Sequence, residues 1–244
     1  MFWALAIILF GSVTLIHYRD RAKAERLRAA ILIKYALFRA KLNAQEQARF
    51  DAIAQRFVRE KEWVGQDIEV VEEMKVMIGA CAAQLLLHLP DVPLDHFTRI
   101  VIHRGHFRSL HTARMHVGET HPLAGEVVIS WRDFVFGYGL SHDAQNVGLH
   151  ELAHALWFEN LFLGDRCAAW TDALVAQWKS LAEAEIAAIK RGESRLLSAY
   201  AGTNQAEFFA VAVEYFFEQP DAFREKLPAL FDTLKELLRQ DPTT

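Results

Sequence analysis

The chain has 244 residues, 52% of them hydrophobic and 24% charged, which excludes a mainly disordered polymer and leaves room for one large domain with a buried core. Its formal net charge is −4, which excludes the strongly basic footprint of a nucleic-acid-binding protein, so no direct nucleic-acid partner is expected. Two cysteines, Cys81 and Cys167, build no disulfide framework and read as buried thiols.

Residues 1–18 carry no formal charge and as a helix reach about 27 Å, close to the minimum for a bilayer crossing. From Arg19 to Lys41 follow eight basic residues against two acidic ones. The positive-inside rule makes 1–18 an N-terminal transmembrane anchor, single-pass, in the inner or cytoplasmic membrane, with the body of the protein on the cytoplasmic side. The competing reading is an apolar helix docked on the globular domain. Residues 19–42 read as a basic juxtamembrane helix, and 43–244 as one globular domain.

Within that domain Asn43 and Glu46 form a capping-box pair opening a helix over 44–60. A second helical pattern, 67–88, is apolar enough to be buried and stops before Pro90. Phe97–Arg104, Ala113–Val117 and Glu126–Trp131 read as strands, and Gly137-Tyr138-Gly139 as a flexible turn. The helical period returns from Asn146, with helices expected over 165–190, 204–218 and 221–239. The class is α+β: a mainly helical domain around a small β-sheet.

Ten of the 11 histidines lie between His88 and His154, and none follows. Within the cluster His150-Glu151-Leu152-Ala153-His154 is an H-E-x-x-H motif, expected by chance roughly 0.04 times at this composition. Residues four apart share a helix face, so both imidazoles can reach one ion. Glu151 can then serve as general base toward water activated by that ion and return the proton to the leaving amine. The helix is otherwise apolar, and a buried helix does not carry two histidines and a glutamate without partners.

A catalytic zinc takes a third protein ligand and keeps one open position. With no histidine downstream, a carboxylate must serve, and residues 206–218 offer Glu207, Glu214 and Glu218. Spacing does not separate Glu207 from Glu214, and Glu207 has a competing role as capping-box partner of Asn204. His103, His106, His111 and His116 lack cysteine company and read as ordinary strand or surface histidines.

The segments VVISW at 127–131, NVGLHELAHAL at 146–156 and SAYAGTNQAEFFAVAVEYFF at 198–217 resemble the Mlc titration factor A family of zinc metallopeptidases, peptidase family M90. Locally they are also similar to the catalytic domain of anthrax lethal factor. The resemblance runs from about residue 43 to 242 and implies a zincin-like fold with one Zn2+ per chain, held by His150, His154 and Glu207, with Glu151 as base. It places Tyr200 beside the metal, where a phenol can donate to an oxyanion; the plain alternative is an aromatic covering the core. It further implies that the VVISW strand is the sheet edge on which an extended substrate pairs, that Gly118-Glu119 borders the cleft, and that activity is of aminopeptidase type on a peptide or protein substrate. At Leu156-Trp157 the chain departs from the family's Leu-Asp, so Asp165, Asp172 or Glu214 must orient the imidazoles. The family's regulatory role raises a second expectation, a binding protein that sequesters a transcriptional regulator at the membrane. A closed structural zinc site is the third.

Overall fold

The computed structural model describes residues 20–90, 94–109, 112–139, 143–162, 167, 169–194 and 196–243. The segment 1–18 and its reading as a membrane anchor lie outside the described residues, and among those described no helix is long and apolar enough to cross a membrane.

Leu32 of helix α1 (20–35) and Ala36 just after it press into a small core with Phe50, Ala54, Ala80 and Ala83, so the basic segment docks on the helices that follow it. Those are α2 (Ala44–Glu60) and α3 (Glu72–Leu86). The capping box opening α2 is present: Asn43 Oδ1 accepts from the Gln45 and Glu46 amides at 3.0 Å each, and Glu46 Oε2 accepts from the Asn43 amide at 3.1 Å.

Six strands follow or interleave: β1 (Glu62–Gln66), β2 (Arg99–His103), β3 (Phe107–Arg108), β4 (Met115–His116), β5 (Gly118–His121) and β6 (Glu126–Ser130). β3 and β4 form a two-stranded ribbon; the main sheet runs β1-β2-β6-β5. β1, β2 and β6 are parallel, and β5 returns antiparallel along β6, with Gly118 opposite Ile129 and Thr120 opposite Val127. The VVISW strand is therefore interior, flanked by β2 and β5, and β5 holds the edge. This corrects the expectation drawn from the family. Val127, Val128 and Ile129 are buried, as in a strand covered on both faces.

The helical part comprises α4 (Trp131–Gly139), α5 (Val147–Phe162), α6 (Asp172–Lys190), a 3₁₀ turn at Ala199–Gly202, α7 (Gln205–Glu218), α8 (Pro220–Lys226) and α9 (Pro228–Leu238). Gly137-Tyr138-Gly139 is not a flexible turn but the end of α4. Phe134 stacks there between Trp131 and Tyr138, at 5.2 and 5.3 Å between ring centroids. The helix expected over 165–190 starts only at Asp172, because Thr171 Oγ1 accepts from the Leu174 amide and caps it there. The helix expected over 221–239 is two, since Pro228 keeps Leu227 out of the helical region (φ −135°, ψ 57°).

α5 and α7 cross in the centre of the larger core. Trp157 packs on Trp170 and Phe209, and Trp178 on Phe208 and Phe209, all of them buried. One face of α5 meets β5 and β6, another meets α7. The helix carrying the histidine motif is thus held between a sheet edge and a second helix.

Candidate metal centre

Each end of this arrangement is set by local chemistry. Asn146 precedes α5 and accepts from the Leu149 amide at 3.1 Å, which starts the helix and fixes the phase of His150 and His154 four residues apart. Asn204 caps α7, accepting from the Ala206 and Glu207 amides at 2.9 Å each. Its capping is one-sided: the Glu207 side chain does not return to Asn204 but reaches across to α5.

There three donor atoms converge. His150 Nε2 and His154 Nε2 stand 3.2 Å apart, and Glu207 Oε2 lies 3.3 Å from the first and 3.2 Å from the second. Donors at about 2.0 Å from one tetrahedral ion lie about 3.3 Å from each other. Two imidazole acceptors this close repel unless a proton or cation lies between them. The donor set therefore fits zinc, with three protein ligands and one corner left over. His150, His154 and Glu207 are also the one such group of potential metal ligands among the described residues.

Glu214 settles into a different role from Glu207. Seven residues apart on α7, the two carboxylates share a helix face. Glu207 meets Nε2 of His150, and Glu214 Oε2 meets its Nδ1 at 2.9 Å. An Nδ1–H donating to Glu214 leaves the Nε2 lone pair for the ion. Glu214 is itself held by the Asn146 amide at 2.7 Å, and Asn146 Nδ2 donates to Glu218 Oε1 at 3.0 Å. Burial and the nearby Glu214 carboxylate push Glu218 up to about 7, so this third carboxyl holds a proton to near neutrality.

The electrostatics favour positive charge at the convergence point. Burial alone would lower the His150 imidazole, but the Glu207 and Glu214 carboxylates outweigh it and hold it well above its ordinary value. Burial would raise Glu207, and the two histidines overcome this, holding it well below the usual carboxylate range.

Glu151 is buried and points the other way, to the sheet. Thr120 Oγ1 lies 2.8 Å from Glu151 Oε2 and 2.9 Å from its main-chain oxygen. Gly118 and Thr120, two apart on β5, face α5 together. A Cβ on Gly118 would stand 2.4 Å from Glu151 Oε1, so glycine is what leaves room for the carboxylate. Burial raises the Glu151 carboxyl, an effect His150, His154 and Thr120 only partly offset. No sequence signal marks Thr120; only the strand register brings it here.

Tyr200 sits on the 3₁₀ turn, its ring 6.0 Å from that of His150 and its surface half exposed. It covers no core and overlooks the metal centre. Burial of the phenol and the adjacent Glu207 carboxylate raise it above its ordinary value, keeping the hydroxyl a donor. A cleft of about 620 Å³ opens here, bordered by His150, Glu151, Gly118, Tyr200 and Glu214.

Residues 17–239 match the family described as glucose-regulated metallo-peptidase M90. The chain belongs to the M90 metallopeptidase family. It is 30% identical over 227 residues to Mlc titration factor A of Salmonella agona (strain SL483), covering 83% of this chain and 82% of that protein, and equally to those of Salmonella paratyphi B and Salmonella typhimurium. Among solved structures, the Pro-Pro endopeptidase of Paenibacillus alvei aligns over 75% of this chain and 99% of its own, at 17% identity and a TM-score of 0.41, too slight a likeness to build on. In this M90 chain Trp157 is core. Glu214 on α7 orients His150 instead; Asp172 is exposed at the start of α6, and Asp165 lies outside the described residues. Among the described residues, Nδ1 of His154 meets no hydrogen-bond partner. Glu119 turns from the cleft to Ser109, whose hydroxyl it accepts at 2.8 Å. His106 pairs with Asp133, His116 with Thr112, and His103 stacks on Phe107, which leaves these as ordinary polar and stacking histidines; His111 lies outside the described residues.

Proposed function

We propose that this M90 member is a zinc metallopeptidase tethered to the cytoplasmic face of the membrane by residues 1–18. His150, His154 and Glu207 would hold one zinc, which when bound supplies a Lewis acid for the scissile carbonyl and lowers the pKa of water toward neutrality. Glu151 takes the proton of the attacking water and delivers it to the leaving amine. Glu214 fixes the His150 ring, and the Tyr200 phenol donates to the oxyanion. An extended peptide adds to the outer edge of β5, the strand that also cradles Glu151. The observation that carries the reading is the meeting of three donor atoms at tetrahedral spacing, beside a carboxylate that is held by the sheet and not by the donors. For the tether, the support is the uncharged run followed by the basic segment.

Metal analysis of the purified full chain is expected to give one zinc per chain, with peptide hydrolysis lost on chelation, regained on adding zinc, and the far-ultraviolet circular dichroism spectrum kept throughout. Hydrolysis that persists after zinc removal overturns the reading, and unfolding on chelation points to a structural site.

Gly118→Ala separates metal binding from activity. Oε1, Cγ and Cδ of the buried Glu151 side chain would all stand within 2.7 Å of the added Cβ, so the whole side chain must turn aside and leave Thr120. Displacing the base by about 1 Å is expected to reduce kcat by about 10²-fold, with zinc content unchanged and the melting temperature lowered. Wild-type turnover in this variant would mean that Glu151 need not stand where β5 holds it.

A second reading, capture of a regulator, rests on the name of the Salmonella relatives.

A further inference from the structure

We infer that the cleft selects a peptide with a bulky apolar side chain, seated against Met115, Val117 and Phe136. This rests on the reading of the site as one that takes peptides. Ten large hydrophobic residues are exposed among those described, and four of them, Met115, Val117, Phe136 and Tyr200, border the one cleft that holds His150 and Glu151. Phe136 is 66% exposed and Met115 62%. Apolar side chains gathered on the rim of a polar site mark a binding surface, whereas singly scattered ones carry no meaning.

The wall is built on held elements. Val117 joins β4 to β5, and its main-chain oxygen accepts from the Ser130 amide at 2.8 Å. Phe136 lies on α4, which the buried Phe134 anchors to α5. A Cβ on Gly148 would stand 2.5 Å from the Phe134 ring, and one on Gly137 would stand 2.0 Å from the Gln145 oxygen. Close approach at both glycines presses α4 onto α5 and the segment before it, so Phe136 projects from a fixed backbone. A preformed apolar wall loses little freedom on binding.

Charge narrows the class. Among the described residues no lysine or arginine borders the cleft, whereas Asp133, Asp143, Glu151 and Glu214 do. A neutral or cationic peptide is favoured, and an acidic residue beside the apolar one is repelled.

The test uses the full chain and matched internally quenched peptides differing at one position, Phe, Leu, Ala or Glu, together with fluorescein-labelled versions whose binding to the Glu151→Gln variant is read by anisotropy. In the wild type, kcat/KM is expected to favour Phe and Leu over Ala by about 10–200-fold and to be lowest for Glu. In the double variant Met115→Ser, Phe136→Ser the Phe-over-Ala ratio falls toward one in both kcat/KM and Kd, with zinc content and circular dichroism as the checks on folding. Equal treatment of the four peptides by the wild type, or an unaltered ratio in the double variant, overturns the inference. So does a change in sedimentation without a change in ratio, which would make the patch a contact between copies of the chain. Binding that discriminates without any turnover upholds the apolar subsite and sinks the peptidase reading instead.

Discussion

Glu151→Gln is expected to lower kcat for peptide hydrolysis by about 10²–10⁴-fold, the range that a positioned general base contributes, while zinc content stays at that of the wild type. The substitution keeps nearly every other property of the position. Glutamine has the same length, fits the space Gly118 leaves, and offers an amide oxygen to the Thr120 hydroxyl now 2.8 Å from the carboxylate. What it removes is the capacity to take a proton. None of the three converging donor atoms belongs to Glu151, so the metal should not respond. Undiminished turnover at full zinc loading would remove Glu151 from the mechanism. The same variant separates catalysis from capture. A regulator retained by Glu151→Gln as well as by the wild type supports the binding reading, and one whose retention requires turnover supports the peptidase.

Glu207→Gln is expected to have the second large effect, and on a different quantity. Asn204 caps α7 through its own side chain onto the Ala206 and Glu207 amides, so the helix start does not depend on the Glu207 carboxylate. Removing its charge takes away one of three donors and the one anionic donor of the set, and a neutral amide oxygen is a far weaker zinc ligand. Zinc affinity should fall by more than the 10–100-fold that loss of an outer partner costs. Glu214→Gln, which meets His150 at Nδ1 and not at the converging nitrogen, should fall within that 10–100-fold range. Isothermal titration with competing chelator measures both. A thermal melt gives an independent check: zinc raises Tm in the wild type by binding the folded state, and this rise shrinks in Glu207→Gln. Equal zinc affinity in Glu207→Gln and the wild type would exclude Glu207 as a ligand.

The two carboxylates show where reading the chain alone stops. Glu207 and Glu214 lie two turns apart on one helix face, so every argument from spacing that admits one admits the other. Their roles diverge because α7 crosses α5 at an angle that brings Glu207 to one nitrogen of His150 and Glu214 to the other. Resemblance to the family named Glu207; the crossing of the two helices shows what Glu214 does in its place. Trp157, where the resemblance leads one to expect a carboxylate, is core, and the residue that meets His150 Nδ1 lies 57 positions further on. Likewise the strand expected at the edge, Glu126–Ser130, is interior. The short run Gly118–His121, which has no strong strand signature, took the edge because β6 had one side unpaired.

Short-range features were legible because their causes are short-range. The Asn43 amide capping its own helix start, Pro90 stopping a helix before it, and two histidines sharing a face four residues apart each involve at most five residues. The cradle of Gly118 and Thr120 around Glu151 and the choice among downstream glutamates depend on pairs separated by 30 to 70 positions. Such pairs meet only after burial of the apolar faces of α5 and α7 has set how the elements cross, and that packing is a property of the whole core. The chain thus determined by itself which atoms were available for a metal centre, and tertiary packing decided which of them face it.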